Sequence, residues 1–564
     1  MPASFITTPP ELLEEIALFA IRDASRGPPA LLRSLLLTCR MSYDALSSET
    51  NPHFYLMLFL DKFDVSSPRR HLSRDRLTLQ NMEQEVKRRY AALQIIRRRD
   101  LRHPDLAEAF ATIYIMLLED DGRNKEQILW ADLPTFMQMF IRERLLEGAA
   151  GNHGWPLENE LNTLVIALFW LMSSSDQLNQ ETEEFRGEIM NLLSPFAFAG
   201  FRYPCFIPPE HFFSPSDNVS KVAISRHGNY PPDRPTKIAL HYFGEPMTFY
   251  LPPIAPFAIL SYFARIEKFA LKVPPELPAN RQDAIAMGNL RGPTREDIEH
   301  FNAHCTTWLA GTNCGDRLDA LLESRRHDPD RHRSLSVPHY RLLHSHPGYY
   351  IPGTVSGRWQ GSFIAPFQEV YQSMLSSPEA PSPFPTFGRF PLYVRFRELY
   401  CYSPSLPLSV NAEEKSFLNA FLPIGCRWHE SESGIEFTGG NENASFKACY
   451  TPPRPSHHFQ DLGNANDAST IGAFDVIITG VTEEPYAAAW NGYKYIGRIR
   501  PSDGLVVLLR EPLDPQRIEL GRALFRGYII SSRNFVGRWR HVSSGEQPAE
   551  WESIFSLCKE VIPS

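Results

Sequence analysis

The sequence predicts a multidomain α+β protein: an N-terminal helical module, a mainly α-helical middle, and a C-terminal antiparallel β-barrel or sandwich. Three observations predict this. The chain has 564 residues, too many for one hydrophobic core. Apolar residues recur at helical spacing as far as Gly200. After Ser345 that spacing gives way to short alternating runs separated by Gly and Pro.

The N-terminal module spans residues 1–64. Thr8 is placed to cap a helix, and Pro9-Pro10 suits a first turn, where a missing N–H costs nothing. Leu12, Leu13, Ile16 and Phe19 then fall on one helical face. Arg26-Gly27-Pro28-Pro29 breaks the chain. Leu32, Leu36, Cys39, Tyr43 and Leu46 are spaced as the apolar seam of a second helix, and Asn51-Pro52 opens a third, His53 to Phe63.

Residues 65–345 read as a mainly helical body with a short hairpin over Lys237–Leu251. Helices are expected at Met82–Arg99, Leu106–Leu118, Lys125–Trp130, Leu133–Gly148, Leu157–Met172, Glu181–Phe198, Ala255–Phe269 and Arg295–Leu322. The basic runs Lys87-Arg88-Arg89 and Arg97-Arg98-Arg99 read as the wet face of an amphipathic helix. Residues 346–545 carry nine candidate strands, from Gly353–Ala365 to Phe535–Arg540, with Ser502-Asp503-Gly504 as a hairpin turn and Asp461–Ser469 as a polar loop. Residues 546–564 read as a tail.

Charge and cysteines narrow the function classes. A net charge of -8 argues against binding nucleic acid by bulk electrostatics. Eight scattered cysteines without a Cys-x-x-Cys pair read as reduced and intracellular. Acidic residues interrupt the stretch that a signal peptide needs, and the apolar run Leu164–Met172 is too short for a bilayer. The expected location is the cytoplasm or nucleus, with no membrane and no nucleic-acid partner.

Motifs for bond chemistry fail on spacing. Gly353-Thr354-Val355-Ser356-Gly357 lacks the Gly-x-Ser-x-Gly elbow. His327, His332, His339, His344 and His346 lack metal-ligand spacing and read as a solvated linker. Glu119-Asp120-Asp121-Gly122 departs from a calcium loop and reads as a helix end closed by Gly122. No phosphate-cradling loop is present in the sequence. The expectation is a non-catalytic protein without cofactor or metal.

Pro9-Pro10-Glu11-Leu12-Leu13, Ile16, Leu36-Leu37-Thr38-Cys39-Arg40, Tyr43 and Leu46 together resemble the F-box. Thr8 stands where that family usually has Leu, and the loop Arg22–Ala30 is long for it. Leu117-Leu118-Glu119-Asp120-Asp121-Gly122, Gly154-Trp155-Pro156-Leu157-Glu158-Asn159-Glu160, Val476-Ile477-Ile478-Thr479-Gly480 and Asn534-Phe535-Val536-Gly537-Arg538-Trp539-Arg540 look like a family of large F-box-containing proteins of mushroom-forming fungi. The resemblance implies a substrate-recognition subunit of a Skp–cullin–F-box-type ubiquitin ligase. Pro9, Leu12, Leu13, Ile16, Leu36, Cys39 and Tyr43 would then meet the Skp-type adaptor, and an unknown protein substrate would bind the C-terminal part. The alternative is a helical hairpin packed on its own chain, with the β-domain acting as a ligand-binding or structural unit.

Gly357-Arg358-Trp359-Gln360-Gly361 resembles the Gly-x-Trp strand that opens lipocalin-like (calycin) barrels. That resemblance implies that Trp359 closes one end of a barrel and that Arg540 packs over it as a cation–π lid. Trp359, Phe363, Tyr393, Phe396, Trp490, Tyr493, Phe525 and Tyr528 would line or fill such a barrel.

Overall fold

The computed structural model describes residues 8–23, 26–205, 224–225, 228–229, 237–309, 320–335, 350–365, 368–382, 384, 388–402, 408, 422, 426–441, 444–453, 475–499, 504–542 and 552–560. The Ser502-Asp503 half of the expected turn, the loop Asp461–Ser469, and His339, His344 and His346 lie outside them.

The N-terminal module is four short helices, α1 Pro10–Asp23, α2 Ala30–Leu36, α3 Arg40–Leu46 and α4 Pro52–Lys62. The Pro9 carbonyl accepts from the N–H groups of both Leu12 and Leu13, which starts α1. Glu11 in the first turn and Arg22 in the last complement the helix dipole. The single second helix expected across Leu32–Leu46 is two. Thr38 Oγ1 donates to the Ser34 carbonyl, and Cys39 turns extended at φ -160° before α3 begins. Such local side-chain bonds offer the backbone an alternative to continuing the helix. Leu36 and Tyr43 therefore do not share one helical seam. Asn51 caps α4 by accepting from Phe54 N–H at 3.0 Å.

The body follows as α5 Ser66–His71, α6 Leu79–Arg97, α7 Leu106–Leu118, α8 Arg123–Trp130, α9 Leu133–Glu143, α10 Glu160–Leu171, α11 Ser175–Gln180 and α12 Glu183–Phe198. Helices α7 and α10 are apolar on all sides and almost wholly buried, as central helices of a large core must be. Strands β1 Ile224–Ser225 and β2 Gly228–Asn229 pair, and β3 Lys237–Tyr242 with β4 Glu245–Tyr250 forms the expected hairpin. Then come α13 Ile254–Ile266, α14 Arg281–Ala286, α15 Arg295–His304 and α16 Asp328–Leu335.

Two expectations for charged residues are corrected here. Arg89 is not on a wet face: it is fully buried, donating to Glu85 at 3.1 Å and to Glu119 at 2.9 Å, with Phe59 and Phe63 rings beside it. Glu119 also takes Arg331 of α16 at 3.3 Å and the Tyr242 hydroxyl of β3, so one polar network ties four elements together. The stretch holding His327 and His332 is no solvated linker either. It is a helix whose Asp330, Arg331 and Ser334 are buried, and burial pushes the His332 imidazole down to about 4.

The C-terminal part is a closed barrel of eight antiparallel strands: β5 Gly357–Ala365, β6 Gly388–Cys401, β10 Asp475–Val481, β11 Tyr493–Ile499, β12 Val506–Pro512, β13 Arg522–Ile530, β14 Asn534–Val542 and β15 Ser553–Lys559. Helices α17 Gln368–Ser376 and α18 Tyr486–Trp490 lie in its connections. Between β6 and β10 the chain makes a separate three-stranded sheet, β7 Arg427–Ser431, β8 Gly434–Asn441 and β9 Ala444–Tyr450. A closed barrel has no sheet edge to protect, which decides the barrel over the sandwich.

The segment read as a tail carries β15, which closes the ring by pairing with β14 on one side and β5 on the other. Gly527 and Gly537 face each other across β13 and β14; a Cβ on Gly527 would stand 2.0 Å from the Val536 carbonyl oxygen. Only glycine permits strands to approach that closely.

One continuous core runs from Leu13 in α1 through the helices to Val507, Leu509, Leu524 and Ile554 on the outer face of the barrel. The barrel interior is a second core containing Trp359, Phe396, Val506, Leu508, Phe525, Phe535, Trp539 and Phe555. The two periodicities separate as they should: even-numbered β12 residues face in and odd-numbered ones face the body.

Candidate functional site

Helix α1 has two apolar faces. Leu13, Ala17 and Ile21, four residues apart, are buried against Leu32, Leu46, Phe54 and Leu58. Leu12, Ile16 and Phe19 form a second stripe on the other side and are 48%, 50% and 78% exposed. Leu31, Leu37 and Tyr43 are also exposed. The structure therefore splits the expected adaptor-binding set. Pro9, Leu12, Ile16 and Tyr43 are at the surface, Leu36 and Cys39 are half-buried, and Leu13 is a core residue. Cys39 is not the buried packing residue expected: its thiol lies 3.3 Å from the Ser42 hydroxyl, which holds it below the ordinary thiol range.

The inner face is fixed to the rest of the chain by polar bonds as well. Lys62, buried, donates to the Ile21 carbonyl at 2.7 Å. Gly27 adopts φ +82°, donates to Gln127 Oε1 at 2.7 Å and accepts from the Tyr90 hydroxyl at 3.1 Å. A side chain there would meet the Trp130 ring, so Gly27 is seated closely against α6 and α8 of the body.

The barrel has two unlike ends. At one, Trp359 is buried and donates from Nε1 to the Val355 carbonyl at 2.6 Å. The carboxylate of Glu398, also inside, accepts the N–H groups of Gly353, Val355 and Ser356 at 2.6–2.7 Å and the Tyr400 hydroxyl. Lys559 donates to the Gly353 and Thr354 carbonyls and lies 5.9 Å from the centre of the Trp359 ring. The segment expected to hold no elbow is thus the plug of this end. Arg540 does not take the role expected of it. Trp539 points into the barrel, so its neighbour Arg540 leaves β14 on the outer face, and the cation beside Trp359 is Lys559.

At the other end Arg510 faces inward from β12. Its guanidinium carbon lies 4.2 Å from the Tyr493 ring centre, 5.3 Å from Phe525, 5.5 Å from Phe363 and 5.8 Å from Trp539. Arg498 and Arg526 on neighbouring strands each pair with a carboxylate, Asp475 at 2.8 Å and Glu552 at 2.6 Å. Arg510 pairs with none among the described residues, and its Nε is buried without a hydrogen bond. The buried hydroxyls of Tyr495 and Thr482, at the same end, are also without a hydrogen-bond partner of normal geometry. Burial pushes the Tyr495 hydroxyl up to about 12, against the pull of nearby Arg510 and Thr482, so it stays a donor at neutral pH. A desolvated charge costs several kcal/mol, and each ring returns only about 0.5–2 kcal/mol.

Of the aromatics expected to line the barrel, Trp359, Phe363, Phe396, Tyr493 and Phe525 do face inward. Tyr528 packs outward into the body core, Tyr393 meets Phe301 and Cys305, and Trp490 is in α18. The sequence places Phe19 on the α1 face but the expected adaptor-binding set leaves it out, and Arg510 is in neither expected set. The signals were present: Phe19 continues the i, i+4, i+7 stripe, and Arg510 has the inward parity of Val506 and Leu508. Among the described residues no group of three or more His, Cys, Asp or Glu side chains is placed to hold a metal ion. No helix among them is long and apolar enough to cross a membrane. No family model, curated protein or solved structure matches the chain.

Proposed function

We propose that this chain is the substrate-recognition subunit of a Skp–cullin–F-box-type ubiquitin ligase. The N-terminal helices dock on a Skp-type adaptor, and the C-terminal part, read as a calycin-like barrel, holds the substrate. The protein performs no bond chemistry in this role; it brings substrate and ubiquitin-loaded enzyme together, and catalysis comes from proximity. The observation that carries the reading is the second apolar stripe, Leu12, Ile16 and Phe19, exposed on a helix whose other face is already packed. Exposed apolar stripes of this kind mark interfaces. The resemblance of Pro9–Leu13 and Leu36–Arg40 to the F-box supplies the partner's identity, and the hydrogen bonds of Gly27 to Gln127 and Tyr90, which seat the module on the body, support presentation to it.

The test is capture of the full chain by a recombinant Skp-type adaptor together with the cullin. A Leu12→Ala, Ile16→Ala, Phe19→Ala variant, with Leu13 intact, is expected to fold normally and lose capture. Adaptor binding equal to the parent chain, or no binding by the parent, sinks the proposal.

The second reading is a ligand-binding barrel protein without ubiquitin-ligase coupling. The observation favouring it is that α1 shares one core with the body, so the module has a structural use of its own. Failure of adaptor capture with intact binding at the barrel would select it.

A further inference from the structure

We propose that the barrel end lined by Arg510 is a carboxylate-binding site, taking an acid whose body is apolar or aromatic. Arg510 is the ion-pairing group, and the hydroxyls of Tyr495 and Thr482 are additional donors. The inference rests on the reading that the C-terminal part binds substrate, and it names the chemistry of that substrate.

Three observations converge. The first is the missing anion. Arg510 is 5% exposed, yet no described carboxylate pairs with it, whereas the buried arginines of the neighbouring strands, Arg498 and Arg526, have theirs and Arg538 has backbone carbonyls. A buried cation in an aromatic surround is incomplete without a counter-charge, and guanidinium geometry matches a carboxylate in two-pronged fashion. The second is the pair of buried hydroxyls, Tyr495 and Thr482, that lie near Arg510 and each other yet make no hydrogen bond of normal geometry. Buried polar groups are nearly always paired, so three orphans at one end of one barrel point to a ligand. The third is the rim. Phe390 is 46% exposed and stacked on Phe363 at 5.4 Å, continuing outward the aromatic wall on which Arg510 lies. It offers an apolar surface for the rest of the acid.

The opposite end sharpens the contrast. There Glu398 has four protein donors and the plug is tied down by Lys559, so that end has no capacity left for a ligand. The same barrel thus has one satisfied end and one unsatisfied end. Two sources present the required chemistry: a free small acid, and the carboxylate at the end of a polypeptide.

The experiment titrates the full chain by calorimetry with phenylpropionate, with octanoate, and with a short peptide ending in Phe, each against its amide. Acids are expected to bind and amides not. Binding of the small acids alone identifies a small-molecule site; binding of the peptide acid identifies chain-end recognition. Arg510→Gln is expected to lose about tenfold to a hundredfold in affinity, the worth of hydrogen bonds to a charged group. Should that variant fail to fold, Tyr495→Phe and Thr482→Val are each expected to lose about threefold to tenfold. Equal binding of acid and amide, no binding of any probe, or unchanged affinity in the variants that fold overturns the site. Adaptor capture by Arg510→Gln or Tyr495→Phe is expected to be unchanged. Acid binding without adaptor capture leaves this site standing and removes only the docking proposal.

Discussion

Arg538 holds the carbonyl of Ala197 with two nitrogens, Nε at 3.1 Å and Nη2 at 2.9 Å. The same guanidinium reaches the carbonyls of Phe196, at 2.9 Å, and Tyr203. Arg538 lies on the outer face of β14, and Phe196 and Ala197 are the last turn of α12, whose end carbonyls have no partner within the helix. A buried cation at a helix C-terminus satisfies those carbonyls and the dipole at once. This contact welds the barrel to the helical body.

It follows that Arg538→Met lowers stability by about 2–3 kcal/mol, because carbonyls are left buried and unpaired. Arg538→Lys is expected to fall in between, since an ammonium keeps the charge but not the fork. Thermal unfolding of the two variants against the parent checks this. Equal melting temperatures would show that water replaces the guanidinium without cost.

The two faces of α1 are expected to behave oppositely. Leu13→Ala removes a side chain that is 2% exposed and should cost about 2–5 kcal/mol. Phe19→Ala, at 78% exposure, should change stability by less than about 0.5 kcal/mol. Denaturant unfolding of the single variants separates the faces. A large loss from Phe19→Ala would mean that the outer stripe is already covered by its own chain.

The sequence was legible where one periodicity ruled. All nine expected strands form: seven lie in the barrel, where alternation survives between an apolar interior and the outer face, and β8 and β9 lie in the separate three-stranded sheet. The hairpin and most helices of the body also fall close to their expected places, but the helix expected over Arg295–Leu322 ends at His304, and residues 305–309 are not helical. What the sequence hid were decisions made by tertiary partners. Arg89 reads as a surface charge until Glu119, at the end of α7, is brought to it beside Glu85 of its own helix. Ser553–Lys559 lacks a clear alternation, since the adjacent Ile554 and Phe555 are buried on opposite faces, and it is a strand because it pairs with β14 on one side and β5 on the other. Leu12 and Leu13 look equivalent in the sequence, and only the packing of α4 and α3 against one of them separates docking from folding.

Stability should also depend on pH through Asp64 and Asp120. Burial, and then their mutual repulsion, pushes the Asp120 carboxyl up from an ordinary 3.8, and burial raises Asp64 in the same direction. The folded state therefore takes up a proton that the unfolded chain does not, across the window from about pH 4 to about pH 7. This stability is fully present at the acid side of the window and is lost as pH rises through the folded value. Asp120→Asn keeps the acceptor that Oδ1 presents to Gly122 and Lys125 N–H while removing the charge. The variant is expected to melt higher than the parent near neutral pH and above, with a flatter pH profile. Parallel profiles for the two would remove the pair from the account.

Glu398 at the plugged end permits a local test of how the barrel is closed. All four groups around its carboxylate are donors: three backbone N–H groups from Gly353, Val355 and Ser356, and the Tyr400 hydroxyl. Glu398→Gln turns one oxygen into an NH2, which must face at least one N–H donor whichever way the amide is flipped. Gly353 N–H also donates to the Tyr400 hydroxyl at 2.9 Å and Val355 N–H to the Tyr350 hydroxyl at 3.1 Å, so each keeps an acceptor, but a neutral one. The variant is expected to lose about 1.5–3 kcal/mol, because these donors no longer meet a charged acceptor. The loss should be local, since the strands themselves pair through the backbone. Amide exchange is therefore expected to quicken at Gly353, Val355 and Ser356 while β11 to β13 keep their protection. Acid binding at the Arg510 end should be unchanged, because the side chains of Phe396 and Phe535 fill the interior between. Faster exchange throughout the barrel would show instead that Glu398 sets the register of the whole sheet.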